Sequence, residues 1–326
     1  MEPKLSAFPR LRLGQYPTPL EELPRLRAAL GPRAPRIFIK RDDYTGPGFG
    51  GNKVRKLEYV LAEARADEAD AVITIGGIKS NHCRITAALC AKLGLRCLLV
   101  LNTPAVPPMT PASLWLDELY GAEIHLVTDR HERRATMQRL AEELRVDGLN
   151  VYEVPLGAST PLGALGYVRA MQELGEQLDA QLIKPDAIFH ASSSCGTQAG
   201  IIAGGQLFGL ENTRIIGVSP DEPASAIASE VADLVAGIGR LLGVKIRHDA
   251  VTVLDEYIGD GYGISTPETD AAIRLLARTE GIVLDSTYTA KAMAALLDWV
   301  ERGKFNASDT LVFWHTGGQM ALFDAH

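Results

Sequence analysis

Short apolar runs bounded by glycine alternate with amphipathic segments along most of the chain. Such runs are typical of buried parallel strands, and the amphipathic spacing is typical of helices that cover a sheet. The alternation predicts an α/β fold with open, mostly parallel twisted sheets and helices on both faces. The predicted strands span residues 36–40, 71–75, 96–101, 123–127, 150–154, 187–190, 214–218 and 310–314. The predicted helices span residues 52–66, 81–93, 132–144, 162–177 and 267–279.

The composition is that of a globular protein and disfavours several other classes. With 326 residues, 46% of them hydrophobic, the chain is long enough for two domains or one large α/β unit. Its 33 Lys and Arg against 40 Asp and Glu give a net charge of −7, so we expect no nucleic-acid partner. No run of about 18 apolar residues is present, and we therefore expect no membrane segment.

The cysteines at positions 83, 90, 97 and 195 do not form Cys-x-x-Cys pairs. This spacing predicts neither a zinc site nor a disulfide framework, so we expect no bound metal. Residues 1–13 lack the apolar core of a signal peptide, which favours a cytoplasmic protein with reduced thiols.

The segment at residues 50–56, Gly-Gly-Asn-Lys-Val-Arg-Lys, joins two glycines to a lysine at the start of a predicted helix. Glycines let the backbone approach a ligand closely, and a helix N-terminus favours anions. In that setting Lys53 can have a lowered pKa and act as an amine nucleophile. The alternative is a solvated helix start that carries three surface cations. The spacing of a Walker A phosphate loop is absent.

A second segment, residues 76–82 with the sequence Gly-Gly-Ile-Lys-Ser-Asn-His, follows a predicted strand and opens a helix. Open α/β sheets bind ligands at the carboxyl ends of their strands. The backbone amides here, together with Ser80 and Asn81, suit a carboxylate. The alternative is that Ser80 or Asn81 only caps the helix.

A third segment, residues 192–200 with the sequence Ser-Ser-Ser-Cys-Gly-Thr-Gln-Ala-Gly, also lies between a predicted strand and a helix. Small residues there expose backbone amides at a helix N-terminus, which predicts a phosphate-binding loop. The alternative is a flexible Ser/Gly linker. The Gly-x-Gly-x-x-Gly fingerprint is absent, which disfavours a dinucleotide-dependent oxidoreductase. Tyr288 and Thr316, considered alone, are better explained as a packed ring and an ordinary turn.

Taken together, these segments resemble the pyridoxal-phosphate (PLP) enzymes of fold type II, the tryptophan-synthase-β-like fold. The motifs occur in order along nearly the whole chain, at residues 17–20, 39–43, 50–53, 80–82, 163–169, 195–200, 285–289 and 315–318. They are most similar to the branch of D-cysteine desulfhydrase and 1-aminocyclopropane-1-carboxylate (ACC) deaminase. The resemblance implies two open α/β domains with PLP in the cleft between them. Residues 55–161 would form the smaller domain, and residues 1–54 with 162–326 the larger one.

The resemblance also implies roles for single residues. Lys53 matches the lysine that forms a Schiff base with PLP, Asn81 the residue that hydrogen-bonds its 3-hydroxyl, and Thr316 the residue near its pyridine nitrogen. The implied phosphate loop comprises Ser194, Cys195, Gly196 and Thr197. The implied substrate-carboxylate contacts are Ser80, Asn81 and His82, with Ser80 also a candidate for proton transfer. Tyr262 and Tyr288 match tyrosines that line the substrate side of the ring, which implies that Ser80 or one of these tyrosines assists Lys53 in moving the α-proton.

Two positions bear on the substrate. ACC deaminases carry Glu after the tyrosine equivalent to Tyr288, whereas this chain has Thr289. The resemblance therefore implies D-cysteine as substrate, with Thr289 beside it, and conversion to pyruvate, sulfide and ammonia. Relatives commonly carry Gln where this chain has Lys79, which either contacts an extra anionic group such as a sulfonate or faces solvent.

Other activities stay open at this point. L-Cysteate sulfo-lyase, ACC deaminase and D-serine dehydration are alternatives within the same family. A PLP-fold protein that binds an amino acid without catalysis is the alternative from another class, because Lys79, Ile85 and Ser193 depart from the usual family residues. The family habit also implies a homodimer.

Overall fold

The structure is a computed structural model that describes residues 5–103, 105, 111–249 and 251–324. Within these ranges the strands form one sheet of six and one of four. The strands are β1 Leu20–Glu22, β2 Arg36–Arg41, β3 Ala71–Gly77, β4 Arg96–Asn102, β5 Glu123–Val127, β6 Val151–Val154, β7 Ala187–Ala191, β8 Arg214–Val218, β9 Thr252–Leu254 and β10 Thr310–His315. The α-helices are α1 Pro24–Leu30, α2 Asn52–Ala66, α3 Asn81–Leu93, α4 Ala112–Leu119, α5 Glu132–Val146, α6 Pro161–Ala180, α7 Gly196–Leu207, α8 Ala224–Leu242, α9 Pro267–Glu280 and α10 Thr289–Glu301.

The larger sheet has the strand order β1-β2-β10-β7-β8-β9. β1 runs antiparallel to β2, and the other neighbouring pairs are parallel. β10 lies between β2 and β7, so Thr310 pairs with Arg36 and Leu311 with Ala187. Because parallel strands end at one edge, the loops that follow β2, β7, β8 and β10 meet there.

The smaller sheet has four parallel strands in the order β5-β4-β3-β6. Its central strand β3 pairs with β4 on one side and β6 on the other. Val72 and Ile73 of this strand are fully buried. Successive side chains point to opposite faces, so Val72 packs with α2 and α3 while Ile73 packs with α5. Helices therefore cover both faces of the sheet.

Helix α6 packs directly against both α2 and α7. A Cβ atom at Gly166 of α6 would collide with the carbonyl oxygen of Arg55 in α2. A Cβ atom at Gly200 of α7 would collide with Tyr167 of α6. Glycine is required at both positions because the helix backbones leave no room for a side chain.

A buried ion-pair cluster fixes α2 relative to the larger sheet. The Arg55 guanidinium donates to Asp42 at 2.8 and 2.9 Å and to both carboxylate oxygens of Glu173 at 3.0 Å. Burial alone would raise the pKa of Asp42, but the Arg55 charge and its hydrogen bonds hold that pKa down to about 2. Removing one member of such a pair leaves a buried charge and costs about 3–5 kcal/mol.

The predicted α/β class with mostly parallel sheets is confirmed. The observed bounds of α2 and α3 are identical to the predicted ones, and the predicted strands all correspond to observed strands. No bounds were predicted for α1, α4, α7, α8, α10, β1 and β9, although a helix was expected after the loops that precede α7 and α10. No helix in the described ranges is long and apolar enough to cross a membrane. All four cysteines are buried and unpaired.

Candidate active site

A cavity of about 480 Å³ lies between the two sheets, lined by residues at or after the carboxyl ends of β3, β4, β5, β6, β7, β8 and β10. The starts of α2, α3 and α7 also reach it, so the three loops singled out in the sequence come together. The predicted residues that line it are Lys53, Ser80, Asn81, His82, Ser194, Cys195, Thr197, Tyr262, Tyr288 and Thr316. Gly196 begins α7 next to this lining, and Thr289 lies outside it.

Lys53 is the second residue of α2, and two glycines bring the helix start close to the cavity wall. Gly50 and Gly51 have φ values of 71° and 129°, and a Cβ atom at Gly51 would lie 3.0 Å from the carbonyl oxygen of Thr316. Lys53 Nζ donates a hydrogen bond to Ser194 Oγ at 2.9 Å. Burial lowers the pKa of Lys53 to about 8, so roughly a tenth of the amine is neutral at pH 7.

The other two cations of this segment are buried, which excludes a solvated helix start. Arg55 is 3% exposed and Lys56 is 0% exposed. Lys56 Nζ donates to Ser159 Oγ at 2.7 Å, and a Cβ atom at Gly196 would lie 2.7 Å from Nζ. Burial and the Lys53 charge lower the pKa of Lys56 well below its usual value. Sequence reasoning missed this second amine beside α7, although a three-residue spacing places it on the same helix face as Lys53.

The loop after β7 turns into α7 at Cys195, whose φ is 64°. Thr197 Oγ1 accepts a hydrogen bond from Asn52 Nδ2 at 2.9 Å, which ties the start of α7 to the start of α2. The first amide groups of a helix have no partner within it and therefore suit an anion. Cys195 is only 2% exposed, and burial raises the pKa of its thiol to about 12. The thiol is thus a packed group and a poor nucleophile.

The loop after β3 ends at Ser80, the N-cap of α3. Ser80 Oγ accepts from the amide of Cys83 at 3.4 Å, so the capping interpretation holds while the side chain also lines the cavity. Asn81 Oδ1 accepts from Arg84 Nη1 at 2.7 Å, which leaves the Nδ2 group of Asn81 as its donor. A Cβ atom at Gly318 would lie 2.9 Å from that Nδ2, so glycine keeps the donor accessible.

His82 is neutral, and its hydrogen bonds define its tautomer. Thr74 Oγ1 donates its proton to the carbonyl of Val154 at 2.8 Å, so His82 Nε2 must be the donor to Thr74 Oγ1 at 2.8 Å. His82 Nδ1 is therefore an acceptor, and it is buried without a partner among the described residues. Burial lowers the pKa of His82 well below its usual value. The neutral ring therefore supplies no positive charge to a substrate carboxylate. The groups that remain to bind a carboxylate are Ser80, Asn81 and the amides at the start of α3.

Tyr262 and Tyr288 form one wall of the cavity. Their hydroxyl groups are hydrogen-bonded to each other, and their rings meet edge to face with centroids 5.7 Å apart. Burial raises the pKa of both hydroxyls, so both keep their protons at neutral pH. The carboxylate of Asp285 accepts from the Tyr288 amide at 2.7 Å and holds this residue at the start of α10.

Thr289 does not reach the cavity, which corrects its predicted contact with the substrate. It is fully buried, and its Oγ1 donates to Asp285 Oδ1 at 2.6 Å and accepts from the Asp285 amide at 2.9 Å. Successive helix side chains point about 100° apart. Tyr288 therefore faces the cavity while its neighbour in sequence completes the cap of α10.

Thr316 links the end of β10 to the start of α2. Its carbonyl oxygen accepts from the Asn52 amide at 3.0 Å, and the residue lines the cavity while only 5% exposed. The backbone at Gly317 has a φ of 90° and lies very close to Gly51. A Cβ atom added to Gly317 would be 2.7 Å from the Cα atom of Gly51. Thr316, which follows the last strand of the larger sheet, thus lies next to the start of α2, the helix that carries Lys53.

Charged side chains at the cavity form a further group, of which sequence reasoning considered only Lys79. Lys79, Arg130, Arg133 and Asp221 all line the cavity. Arg130 Nη2 pairs with Glu222 Oε1 at 2.7 Å, which joins the segment after β5 to the segment after β8. Arg133 Nε donates to the Arg130 carbonyl at 2.8 Å. Burial lowers the pKa of Arg133 and raises that of Asp221.

The sequence matches the family described as "Pyridoxal-phosphate dependent enzyme" over residues 11–317. The D-cysteine desulfhydrase of Yersinia enterocolitica (serotype O:8 / biotype 1B) is 40% identical over 330 residues, which cover 100% of this chain and 98% of that protein. The D-cysteine desulfhydrase of Salmonella choleraesuis is 39% identical over 326 residues, which cover 99% of this chain and 98% of that protein.

Solved structures show the same architecture. A crystal structure of an ACC deaminase homologue has a TM-score of 0.89 and 36% identity, with 98% of this chain and 96% of that chain covered. A fungal L-serine ammonia-lyase from Rhizomucor miehei has a TM-score of 0.67 at 17% identity, a likeness of fold alone that covers 95% and 94% of the two chains. The expected fold type II architecture is thereby confirmed. This chain therefore belongs to the family of pyridoxal-phosphate dependent enzymes.

Proposed function

We propose that the protein is a PLP-dependent carbon–sulfur lyase that converts D-cysteine and water to pyruvate, hydrogen sulfide and ammonia. The observation that carries the proposal is the Lys53 amine, whose pKa is lowered to about 8. It lies in a cavity between the starts of α3 and α7, which suit a carboxylate and a phosphate respectively. The relatives that match over the full length are D-cysteine desulfhydrases, which supports D-cysteine as the substrate.

The residues around Lys53 fit PLP. Lys53 would hold the cofactor covalently, and the first amides of α7 would bind its phosphate. Two atoms support a polar ligand here: His82 Nδ1 and Ser192 Oγ are buried without partners among the described residues, and both side chains line the cavity. The other groups placed to hold PLP are Ser194, Thr197 and Lys56 for the phosphate and Asn81 and Thr316 for the ring.

When bound, PLP supplies the electron sink that loosens bonds at the substrate α-carbon. We assign the α-proton to Lys53 Nζ, which Ser194 Oγ orients from 2.9 Å. Ser80 Oγ is the second candidate for that proton. The substrate carboxylate would bind the Ser80 hydroxyl, the Asn81 Nδ2 group and the amides at the start of α3. Thr316, which lines the cavity, would offer a hydroxyl rather than a carboxylate to the pyridine nitrogen, and this would favour fast loss of a β-substituent.

The tyrosine pair is suited to protonating the leaving sulfur. Tyr262 and Tyr288 share one hydrogen bond, and their raised pKa values keep both hydroxyls protonated at neutral pH. Two hydroxyls that share one hydrogen bond leave one proton available to a third group. In the balanced reaction the Cβ–S bond breaks, sulfur leaves as sulfide, and water replaces the amino nitrogen at Cα.

Keto-acid release from a panel of amino acids tests the proposal directly. The panel comprises D-cysteine, L-cysteine, L-cysteate, D-serine and ACC. We expect pyruvate and sulfide in equal amounts from D-cysteine, at a higher kcat/KM than from the other four. If a PLP-loaded protein released no product from any of the five compounds, the lyase proposal would fail and a binding role would replace it.

L-Cysteate is a second candidate substrate, favoured by the cations at the cavity. Lys79 and Arg133 line it, and neither has an ion-pair partner among the described residues. A sulfonate carries the negative charge that such cations attract. ACC is less favoured, because the relatives that match over the full length are D-cysteine desulfhydrases.

The two candidates are separated by a matched pair of substitutions. Lys79→Gln should raise KM for L-cysteate by about tenfold or more, the loss expected for one charge-assisted contact. The same substitution at exposed Lys184 should leave KM unchanged. If Lys79→Gln changed KM for neither L-cysteate nor D-cysteine, Lys79 would have no part in substrate specificity.

We propose further that the chain works as a homodimer in the cytoplasm, with a smaller domain over residues 55–161 and the rest forming the larger one. Four unpaired buried cysteines suit a reducing compartment. The strands of the smaller sheet, which all fall within the smaller domain, support the boundaries. Light scattering on the purified holoenzyme should give twice the mass of the chain, and a monomeric mass would contradict the assembly.

A further inference from the structure

Lys291 is a fully buried cation that the reaction described above does not use. It is the third residue of α10, where the positive end of the helix dipole disfavours another positive charge. Burial lowers the pKa of Lys291. An ammonium in such a place is destabilising unless its surroundings compensate it fully. Its surroundings should therefore contain a specific set of acceptors.

Three backbone carbonyl groups surround the Lys291 ammonium. Nζ donates to the carbonyl oxygens of Pro220 at 3.0 Å, Ile258 at 2.7 Å and Gly261 at 2.7 Å. These bonds use all three protons that an ammonium can donate. No carboxylate in the described ranges forms an ion pair with it. The ammonium is thus contacted directly by a cage of carbonyl dipoles, as a monovalent cation is held by carbonyl oxygens, while the charges of Asp221 and Asp285 act on it from farther away.

The cage joins the segments that build the substrate side of the cavity. Two of its carbonyls belong to the residues immediately before Asp221 and Tyr262, which both line the cavity. The lysine itself follows Tyr288, the N-cap of α10, by three residues. One ammonium therefore connects the loop after β8, the loop before α9 and the start of α10.

The backbone of the loop before α9 is shaped to present these carbonyls. Gly261 has φ of 136°, a conformation that side-chain-bearing residues rarely adopt. Tyr262 follows directly, and its hydroxyl meets that of Tyr288. A shift of the loop by one hydrogen-bond length would therefore separate the two hydroxyls. The position of the tyrosine pair depends on the carbonyl that Lys291 binds.

We propose that Lys291 is a positioning residue that acts as a built-in monovalent cation and holds the tyrosine wall in its working geometry. The assignment of that wall to the substrate rests on the proposed function. The carbonyl cage does not, because it is a property of the folded chain. Without the ammonium, the three carbonyl oxygens face one another, with the Ile264 amide as a long 3.4 Å donor to that of Gly261. A potassium or free ammonium ion is the ligand that they would take.

The test compares holoenzymes of the wild type, Lys291→Met and the control Lys184→Met. Methionine has a similar length but cannot donate, and Lys184 is exposed. Each protein is purified in KCl and transferred to tetramethylammonium chloride, whose cation is too large for the cage. Thermal unfolding and keto-acid release are then measured as KCl, NH₄Cl or NaCl replaces that salt at constant ionic strength.

We expect Lys291→Met in tetramethylammonium to have a kcat reduced by about tenfold or more, with a smaller change in KM. KCl or NH₄Cl should raise its unfolding midpoint by about 3 °C or more and restore much of kcat. For the wild type and Lys184→Met, the unfolding midpoint and kcat should be the same in every salt. The midpoint is read without substrate, so it reports on the cage even if the wild type proves inactive on the whole panel.

Two results would overturn the proposal. One is an unfolding midpoint and a kcat for Lys291→Met that match the control in every salt. The other is a loss of stability and activity that no cation reverses, which would make Lys291 an ordinary structural residue. If Lys291→Met cannot be purified folded in KCl, Lys291→Gln, whose side-chain amide keeps two N–H donors, takes its place. Failure of both variants to fold in any salt would count against a replaceable cation.

Discussion

At the scale of single residues, the proposed function depends on two lysine amines whose pKa values are lowered by burial. Lys53 and Lys56 are close enough for the charge of Lys53 to lower the pKa of Lys56. Both sit beside the amides at the start of α7, and an anion bound there would offset the repulsion between them. The pair of lysines beneath the loop therefore favours a phosphate as the ligand of this part of the cavity.

Replacing Lys53 by alanine should reduce keto-acid release by about a thousandfold or more, because the covalent anchor and the proton carrier disappear together. The absorption of covalently bound PLP should shift to that of the free aldehyde. Lys184→Ala is the control and should retain wild-type rates. Turnover by Lys53→Ala at the wild-type rate would remove Lys53 from the mechanism.

A second residue-scale prediction concerns acid stability. The pKa of Asp42 is lowered from its ordinary value of 3.8 to about 2, so its contribution to stability is fully present above pH 4. That contribution, about 2 kcal/mol, is lost as the pH falls from 4 toward 2. Asp42→Asn should be less stable at neutral pH and should lose less stability over that interval. Urea unfolding at several pH values measures this, with exposed Asp147→Asn expected to behave as wild type.

Residue-scale reasoning from sequence found the loops but not the orientation of every side chain in them. Lys53 and the tyrosines line the cavity as predicted. Thr289 does not, because a cap formed by Asp285 fixes the first turn of α10. Lys291 could not have been found, since its acceptors are backbone carbonyls far away in the chain.

At the scale of elements, the glycine contacts of α6 determine where Lys53 sits. Gly166 allows α6 to touch the backbone of α2 at Arg55, two residues beyond Lys53. The ion pairs of Arg55 with Asp42 and Glu173 then fix α2 in the same place. Backbone contact and charge pairing thus act on one helix turn from opposite sides.

Two glycine substitutions in α6 test this with opposite expectations. Gly166→Ala should lower the free energy of unfolding by about 1–3 kcal/mol, because its Cβ would collide with the Arg55 carbonyl. Its unfolding midpoint should fall accordingly. Gly175→Ala should be neutral or stabilising, since its Cβ would lie 3.6 Å from the Phe208 carbonyl and alanine favours a helix. Equal midpoints for the two variants would contradict close packing of α2 on α6.

The bounds of helices were predicted correctly where the hydrophobic period and the capping residues indicated the same ends. α3 begins after the Ser80 cap and ends before Gly94 in the left-handed conformation, and both signals are local. The short edge strands β1 and β9 contain three residues each. They are too short for a period to be read, and pairing with their neighbours rather than local sequence makes them strands.

At the scale of the whole molecule, the cavity exists because two sheets turn their carboxyl edges toward each other. Neither sheet alone carries the site: Lys79 and the Ser80 loop follow β3, whereas Ser194 and Thr316 follow β7 and β10. The ion pair of Arg130 with Glu222 crosses between the same two sheets at the cavity. Sequence order predicted the α/β class, but not which strands are neighbours, because strand order is a property of long-range pairing.

The place of β10 in the larger sheet has a consequence for how the chain is made. β10 lies between β2 and β7, although it follows every other described strand in the sequence. The smaller sheet uses only residues 71–154 and can form early on the ribosome, while the larger sheet stays split until its central strand emerges. Capture of the cofactor therefore belongs to the last stage of biosynthesis, and an incomplete nascent chain has no finished pocket to fill.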